Sequence, residues 1–286
     1  MWSPPTQRGL PDSTRHAGRN MGDEVQLERR GNVAWITLNR PGARNALTRG
    51  MCAELVAAIS SLRTDATTRI VVMRGSGSDF TVGADLKDMA DLPARPPDQR
   101  GPAVAEMARE LAWPIVRGLH ELRQPIVASV RGHVIGVGVQ LVLSADLTIA
   151  SETARLLLPM ARLGHSVDHG ESYYLPRRVA PHRAMQMLFL GETWSAGDAE
   201  THGLVNWVVP DERLEEKTDE VVQRIAAGAP VAIQEMKSLL RQSLDRTLDE
   251  QLSAEVASLG ICAATADFGE AISAFLEKRK PEFTGR

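Results

Sequence analysis

Two stretches of this chain hold residues whose types and spacing could do chemistry. The first, residues 131–150, reads R-G-H-V-I-G-V-G-V-Q-L-V-L-S-A-D-L-T-I-A. A strand ending near Val130, a turn at Gly132, and Gly136 and Gly138 ahead of a short apolar helix would leave bare N–H groups at a helix N-terminus. The first donors of a helix have no intrahelical partner and its dipole favours negative charge, so an oxyanion fits there. The same glycines also suit a tight turn and close helix packing. The second stretch, residues 163–170, reads L-G-H-S-V-D-H-G and has loop composition. Its Asp168 could make a turn or cap a helix. His165, Asp168 and His169 are metal-ligand types, but the loop offers no third partner beyond them, and no metal is expected.

Other motifs are weaker. The order G-x-x-x-G-x-G at Gly132, Gly136 and Gly138 is not the dinucleotide fingerprint G-x-G-x-x-G, and no glycine loop is followed by G-K-S/T. A nucleotide cofactor is unsupported. Residues 164–168 nearly spell a G-x-S-x-G nucleophile elbow, but Asp168 replaces the second glycine and no helix-forming run follows directly. Cys262 lies among apolar and small residues and suits packing better than nucleophilic attack.

The elements that must position these residues follow from periodicity. Residues 33–38 have strand character, and Arg40-Pro41-Gly42 supplies a turn. Thr48 should cap a helix with Met51, Leu55, Ile59 and Leu62 on one face. Residues 70–73 then read as a buried strand, which makes a β-α-β crossover. Gly83, in F-T-V-G-A-D-L at 80–86, marks a second strand-to-helix junction. Pro93, Pro96, Pro97 and Pro102 predict an exposed, irregular, mobile loop over 92–102. A helix carrying Met107, Leu111, Ile115 and Leu119 follows, which Pro114 should kink or restart. Strands are expected at 126–130, 147–150 and 207–209, with a short apolar run at 155–159.

Pro181 should open a helix with Met185, Leu188 and Phe189 on its apolar side, and Ser195 should cap a short helix ended by Gly203. From Asp211 the pattern is helical only, with faces at Leu214, Val221, Val222 and Ile225, then Ile233, Met236, Leu240 and Leu244, then Leu248, Leu252 and Leu259. Thr247 with Glu250 and Asp267 with Glu270 have capping-box spacing. A final helix presents Ala271, Ile272, Phe275 and Leu276 before a basic run at 277–280. Such a tail has more apolar faces than it can cover itself, which suggests subunit contacts.

Composition narrows the class. At 286 residues the chain can bury a large core without staples. Lys and Arg number 33 against 36 Asp and Glu, which gives no footprint for nucleic acid or an anionic membrane. Cys52 and Cys262 are the only cysteines, so no disulfide framework is implied. No apolar run approaches the roughly 18 residues that span a bilayer. A cytoplasmic location is expected. Residues 1–21 read as a disordered tail without the apolar block of a signal peptide, with Met21 an alternative start.

Taken together, N-R-P-G-A-R-N-A-L at 39–47, F-T-V-G-A-D-L at 80–86, residues 131–150, L-P-R-R-V at 175–179, W-S-A-G-D-A-E-T-H-G-L-V-N-W-V-V-P at 194–210 and A-F-L-E-K-R-K-P-E-F at 274–283 resemble the crotonase, or enoyl-CoA hydratase/isomerase, superfamily. The resemblance covers Gly22 to the C-terminus. It implies an α/β fold, a spiral of β-β-α repeats (ClpP-like) over 22–210, followed by a helical C-terminal region, 211–286, that builds trimers, often paired as hexamers. It also implies an acyl-CoA thioester substrate in fatty-acid metabolism, with coenzyme A part of the substrate and no separate cofactor. By the resemblance, the Ala84 and Val137 amides hold the thioester oxyanion. Arg44, Ala46 and Leu86 line the CoA groove next to Gly136 and Met160, and Phe275 and Lys278 reach a neighbouring subunit's CoA.

The departures are informative. Hydratases of the family use two glutamates, at positions that hold Gln140 and Met160 here. Gln140 is no base and Met160 hydrogen-bonds only weakly, so efficient hydration is disfavoured. Asp168 matches a third carboxylate position, used by members that shift double bonds and by the aspartate nucleophile of aryl-CoA dehalogenases. The sequence therefore points to an enoyl-CoA isomerase with Asp168 as acid/base, its pKa raised by an apolar pocket of Met160 and Leu163. The alternatives are a non-catalytic acyl-CoA binder, or Asp168-nucleophile chemistry on an aryl-CoA. The last is weakened because Met160 stands where the dehalogenases carry an aromatic residue.

Overall fold

In a computed structural model that describes residues 24–286, strand β1 (Val25–Arg30) pairs antiparallel with β2 (Val33–Leu38). The N-terminal tail and Met21 lie outside the described residues. Every residue of β2 is buried, because both faces of this strand are covered. Ala34, Ile36 and Leu38 enter one core and Val33 and Trp35 another, as the two-residue alternation of a strand requires. The Thr48 hydroxyl caps α1 (Arg49–Arg63) by accepting from the Met51 N–H, and Met51, Leu55, Ile59 and Leu62 are buried on one face as expected. The chain returns as β3 (Ile70–Gly75), parallel to β2, completing the crossover.

The proline-rich stretch differs from expectation. It is exposed, but α2 (Pro97–Met107) is a regular helix within it. Pro97 opens the helix, where its missing N–H costs nothing, and Pro102 is accommodated inside on a face without packing partners. A π turn, Ala108–Ala112, separates α2 from α3 (Trp113–Glu121), which buries Ile115 and Leu119 and carries Pro114 in its first turn. The new start at Pro114 is therefore as expected.

Next come β4 (Ile126–Val130), β5 (His133–Ile135), α4 (Val137–Ser144), β6 (Leu147–Ser151), β7 (Arg155–Leu157) and α5 (Met160–Leu163). The repeated unit is strand, strand, helix. Helices α6 (Glu171–Arg178) and α7 (Pro181–Leu190) precede β8 (Thr193–Ser195), α8 (Ala196–Thr201) and β9 (Trp207–Val209). The large sheet runs β1-β2-β3-β4-β6-β9, parallel after the first pair, and the small one runs β5-β7-β8. This is the α/β spiral that the sequence implies. In α7 the buried residues are Ala184 and Met187, whereas Met185 and Phe189 are exposed, so the expected apolar side is displaced. Ser195 and Asp198 form a reciprocal capping box at α8.

Beyond β9 the chain is helical: α9 (Leu214–Ala226), α10 (Pro230–Gln242), α11 (Leu248–Ala263) and α12 (Ala266–Leu276). Helix α9 covers the second core, packing Leu214, Val221 and Val222 against Trp35, Val72 and Ile149. Helix α10 is tied down by charge: Lys237 and Arg241 both pair with Asp146, at 2.7 and 2.9 Å. Burial lowers the Lys237 pKa to about 8. A cavity of about 630 Å³ lies between α6 and α10, lined by these groups and by Met236, Leu240 and Leu244. The expected faces of α10 and α11 are largely open, with Leu240, Leu244, Leu248 and Leu259 all exposed. Thr247 and Glu250 form the expected capping box. Thr265, rather than Asp267, caps α12. Asp267 is buried and accepts from the Thr284 and Gly285 N–H groups, while Glu270 holds Arg279. Among the described residues no single helix is long and apolar enough to cross a membrane; α11 and α12 pass that test only as a pair bent by 76°.

Candidate functional site

Two backbone segments run side by side at the centre of the site. Thr81 forms a parallel bridge with Val134, the Thr81 N–H donates to the His133 carbonyl, and the Ile135 N–H donates to the Thr81 carbonyl. Three residues further along each segment stand Ala84 and Val137. Gly136 has φ +56°, which turns the chain into α4 and leaves Val137 as its first residue. Neither the Ala84 nor the Val137 N–H has an acceptor among the described residues. Close approach is possible only because the neighbours lack side chains: a Cβ on Gly138 would lie 2.7 Å from the Thr81 methyl, and one on Gly83 3.0 Å from the Ile135 carbonyl oxygen. Tight packing and open donors thus occur along the same segments.

The motif at 39–47 braces the first segment. Arg44 and Asn45 both adopt left-handed backbone, at φ 49° and 55°, and Asn45 is fully buried. Its amide donates to the Ser76 and Asp79 carbonyls, and its Oδ1 accepts from the Arg40 N–H. Arg40 in turn pairs with Asp85 at 2.7 Å, next to Ala84, and donates to the Ala46 carbonyl. Leu47 bridges directly to Ala84.

The third component is the loop before α6. Asp168 and His169 line a cavity of about 50 Å³ together with Ala84, Leu47, Asp85, Asp88, Arg49 and Cys52. His169 Nδ1 lies 2.8 Å from Asp168 Oδ1. Glu171, the first residue of α6, is wholly buried; its Oε2 accepts from the His169 N–H at 2.9 Å and its Oε1 has no partner. One donor atom from each of Asp168, His169 and Glu171 lies within 4.8 Å of the other two. The third partner that the loop spacing lacks is therefore Glu171. His165 turns away, with Nδ1 on the Ser166 carbonyl.

The electrostatics of Asp168 correct an expectation. Burial pushes its pKa up, but the His169 hydrogen bond and the His169 and His165 charges outweigh it, and the carboxyl is held below the usual aspartate value. The apolar enclosure expected from Met160 and Leu163 does not form. Met160 is buried in the core, Leu163 is half exposed, neither lines the cavity, and the Asp168 side chain is 38% exposed. Burial disfavours the His169 imidazolium, yet Asp168 and then Glu171 hold its pKa above the histidine value. Burial raises the Glu171 pKa.

Gln140 is buried on α4 with its Nε2 on Ser144 Oγ at 3.0 Å and its Oε1 unpartnered. Arg44, Ala46 and Gly136 lie on the segments that frame the site, while Leu86 is exposed beside it. Phe275, 83% exposed, and Lys278, at φ 58°, do not line the cavity of this subunit. Sequence reasoning missed Glu171, Arg40 and Asn45. The E of D-H-G-E was the available signal for the first, but burial of a glutamate cannot be read from a loop. Cys52 also lines the cavity, but burial, and then the nearby Asp88, push its thiol up to about 11, so it stays protonated.

Comparison with known proteins places this geometry. The family model described as enoyl-CoA hydratase/isomerase matches residues 28–286. The 2,3-dehydroadipyl-CoA hydratase of Escherichia coli K12 is 36% identical over 92% of this chain and 99% of its own length. The 1,2-epoxyphenylacetyl-CoA isomerase of the same organism is 32% identical over 89% and 95%. An enoyl-CoA hydratase structure from Bacillus anthracis superposes with a TM-score of 0.84, at 30% identity, over 92% of this chain and all of that one. Hydratases and isomerases both stand among these relatives, and the chain belongs to the enoyl-CoA hydratase/isomerase family.

Proposed function

We propose that this enzyme shifts the double bond of a 3-enoyl-CoA into conjugation with the thioester. The observation that carries the reading is that Asp168 lines the same cavity as Ala84, while the positions of the family's two hydration glutamates hold Gln140 and the core residue Met160. The Ala84 and Val137 N–H groups hold the thioester oxygen, and Asp168 removes a proton from C2. The electron pair moves into the enolate and then returns to form the C2–C3 double bond as C4 is protonated. Such donors act mainly on the charge that develops in the transition state, and each contributes roughly 3 kcal/mol. No separate cofactor is needed, since coenzyme A is part of the substrate.

Arg44, Ala46, Leu86 and Gly136 frame the CoA groove in this reading, and Met160 backs it. The exposed Leu248, Leu259, Phe275 and Leu276 form subunit contacts in a trimer or hexamer, where Phe275 and Lys278 meet a neighbour's CoA. The test is a turnover panel of 2-enoyl-, 3-enoyl- and aryl-CoA substrates, wild type against Asp168→Asn. Loss of 3-enoyl turnover in the variant is expected. Full turnover there removes Asp168 as base; saturable binding without turnover on any substrate favours a binder; a covalent adduct at Asp168 favours nucleophilic chemistry on an aryl-CoA.

A further inference from the structure

We propose that His169 is a second proton-handling residue of this site, protonating C4 after Asp168 has deprotonated C2, with Glu171 as a positioning residue behind it. The proposal rests on the reading of Asp168 as the base. It begins from which atoms are occupied. His169 Nδ1 and Asp168 Oδ1 hold each other at 2.8 Å, so Oδ2 and Nε2 remain, and neither has a partner among the described residues. Both side chains line the cavity that contains Ala84, and that of His169 is only 17% exposed. A carboxylate oxygen and a ring nitrogen, locked together but each with one free end, make two separate proton stations rather than one.

Glu171 fixes this arrangement from the protein side. Its Oε2 accepts from the His169 backbone N–H at 2.9 Å, and it is wholly buried at the start of α6. Its unpartnered Oε1 is one of very few such atoms among the described residues, and a buried polar atom left unpaired calls for a role. The titratable and charged groups around the pair are His165 from the same loop, Glu171 at the start of α6, and Asp85, Asp88 and Arg49 lining the cavity. Asp168 favours the imidazolium, and the imidazolium favours the Asp168 carboxylate.

Asp168 Oδ2 takes the C2 proton, and that electron pair becomes the enolate held at the thioester oxygen. The pair then returns, the C2–C3 double bond forms, and the C3–C4 π pair takes the proton from His169 Nε2. Asp168 releases its proton to solvent and Nε2 takes one back, so one proton leaves and one enters per turnover.

The experiment follows the label. A 3-enoyl-CoA carrying deuterium at C2 is turned over in ordinary water, and deuterium at C4 of the product is read by mass spectrometry. Wild type should show little deuterium at C4, because the delivered proton comes from His169. His169→Gln, which keeps a hydrogen-bonding side chain, should lower kcat by roughly 10²-fold and direct what remains through Asp168, raising the share of deuterium at C4 severalfold. Wild type that carries most of the label to C4, or His169→Gln with unchanged kcat and label loss, overturns the proposal. Loss of turnover in Asp168→Asn alongside either result leaves the base reading standing, whereas full turnover in Asp168→Asn, or none in wild type, removes both. Glu171→Gln keeps the backbone acceptor and removes the charge, so the alkaline limb of kcat should move to lower pH, and Glu171→Asp should restore it. An unmoved limb removes the role assigned to Glu171.

Discussion

The two halves of the site are built differently. In the proposed mechanism the groups at Ala84 and Val137 are backbone N–H donors, on segments joined by the pairing of Thr81 with Val134 and turned by the left-handed Gly136. At the loop before α6 the proposed groups are side chains: Asp168 hydrogen-bonded to the His169 ring, and Glu171, at the start of α6, accepting from the His169 N–H. A backbone donor survives any substitution other than proline that keeps the turn, so the first half can be common to enzymes of different activity. A side chain is replaced in one step, and in the proposed mechanism the second half is where a reaction is chosen. Relatives named as a hydratase and as an isomerase, at 36% and 32% identity, fit this division.

The comparison can be broken at either half, and the largest effect is expected in the loop. Asp168→Asn keeps the size of the side chain and its contact with His169 but removes the base, and isomerisation should fall by about 10³-fold, within the range for general acid–base groups. A steady-state assay that finds less than a tenfold loss places the base elsewhere. In the other half the corresponding change must be made in the backbone. Val137 is the first residue of α4, where proline is tolerated because that N–H has no intrahelical partner. Val137→Pro should therefore fold, with Val137→Ala as the control for lost packing, and kcat should drop by roughly 10²-fold with KM little changed. Equal kcat in the proline and alanine variants would remove this amide from the oxyanion site.

A smaller effect sharpens how the loop works. The Asp168 pKa lies below the ordinary aspartate value, so its base form persists as pH falls and is lost only when pH drops through that depressed value. His169→Leu takes away the hydrogen bond and the nearer positive charge and leaves burial opposed only by the His165 charge and the Asp168 backbone N–H. The acid limb of kcat/KM should then move to higher pH. A profile that stays in place means that the two side chains do not share a titration.

Much of the backbone half was legible in the sequence. Glycines at 132, 136 and 138 announced the turn and the helix start, and Thr48, Ser195 and Thr247 announced their helices through local hydrogen bonds. These features depend on neighbours within a few residues. The proline-rich stretch misled because counting prolines ignores that Pro97 stands at a helix start. The loop half was legible only at Asp168. Its protonation depends on what surrounds it in space, and Leu163, expected to enclose it, faces solvent while His169 lies against it. The apolar stripes of α7, α10 and α11 were visible as stripes, but nothing along the chain distinguishes a stripe that packs on its own core from one left open, as Leu240 and Phe189 are.

The smallest effect is expected at Gln140, which by the resemblance stands at one of the family's hydration-glutamate positions, and it tests whether the loop alone chooses the reaction. Gln140→Glu restores one of them at nearly constant volume. The Ser144 hydroxyl, which accepts from Gln140 Nε2, can rotate to donate instead, so the contact is kept with its direction reversed. Gln140 is 1% exposed, so a carboxyl there is held neutral by burial and costs about 1–2 kcal/mol, seen as a fall of a few degrees in Tm. Hydration needs a second group to handle water, and Met160, buried in the core, supplies none. Isomerisation in Gln140→Glu should stay within roughly threefold of wild type, less than about 1 kcal/mol of barrier, and hydration of a 2-enoyl-CoA should not appear. If hydration does appear in this single variant, a group in the loop is serving as the second carboxylate, and the choice between the two reactions rests with both halves of the site.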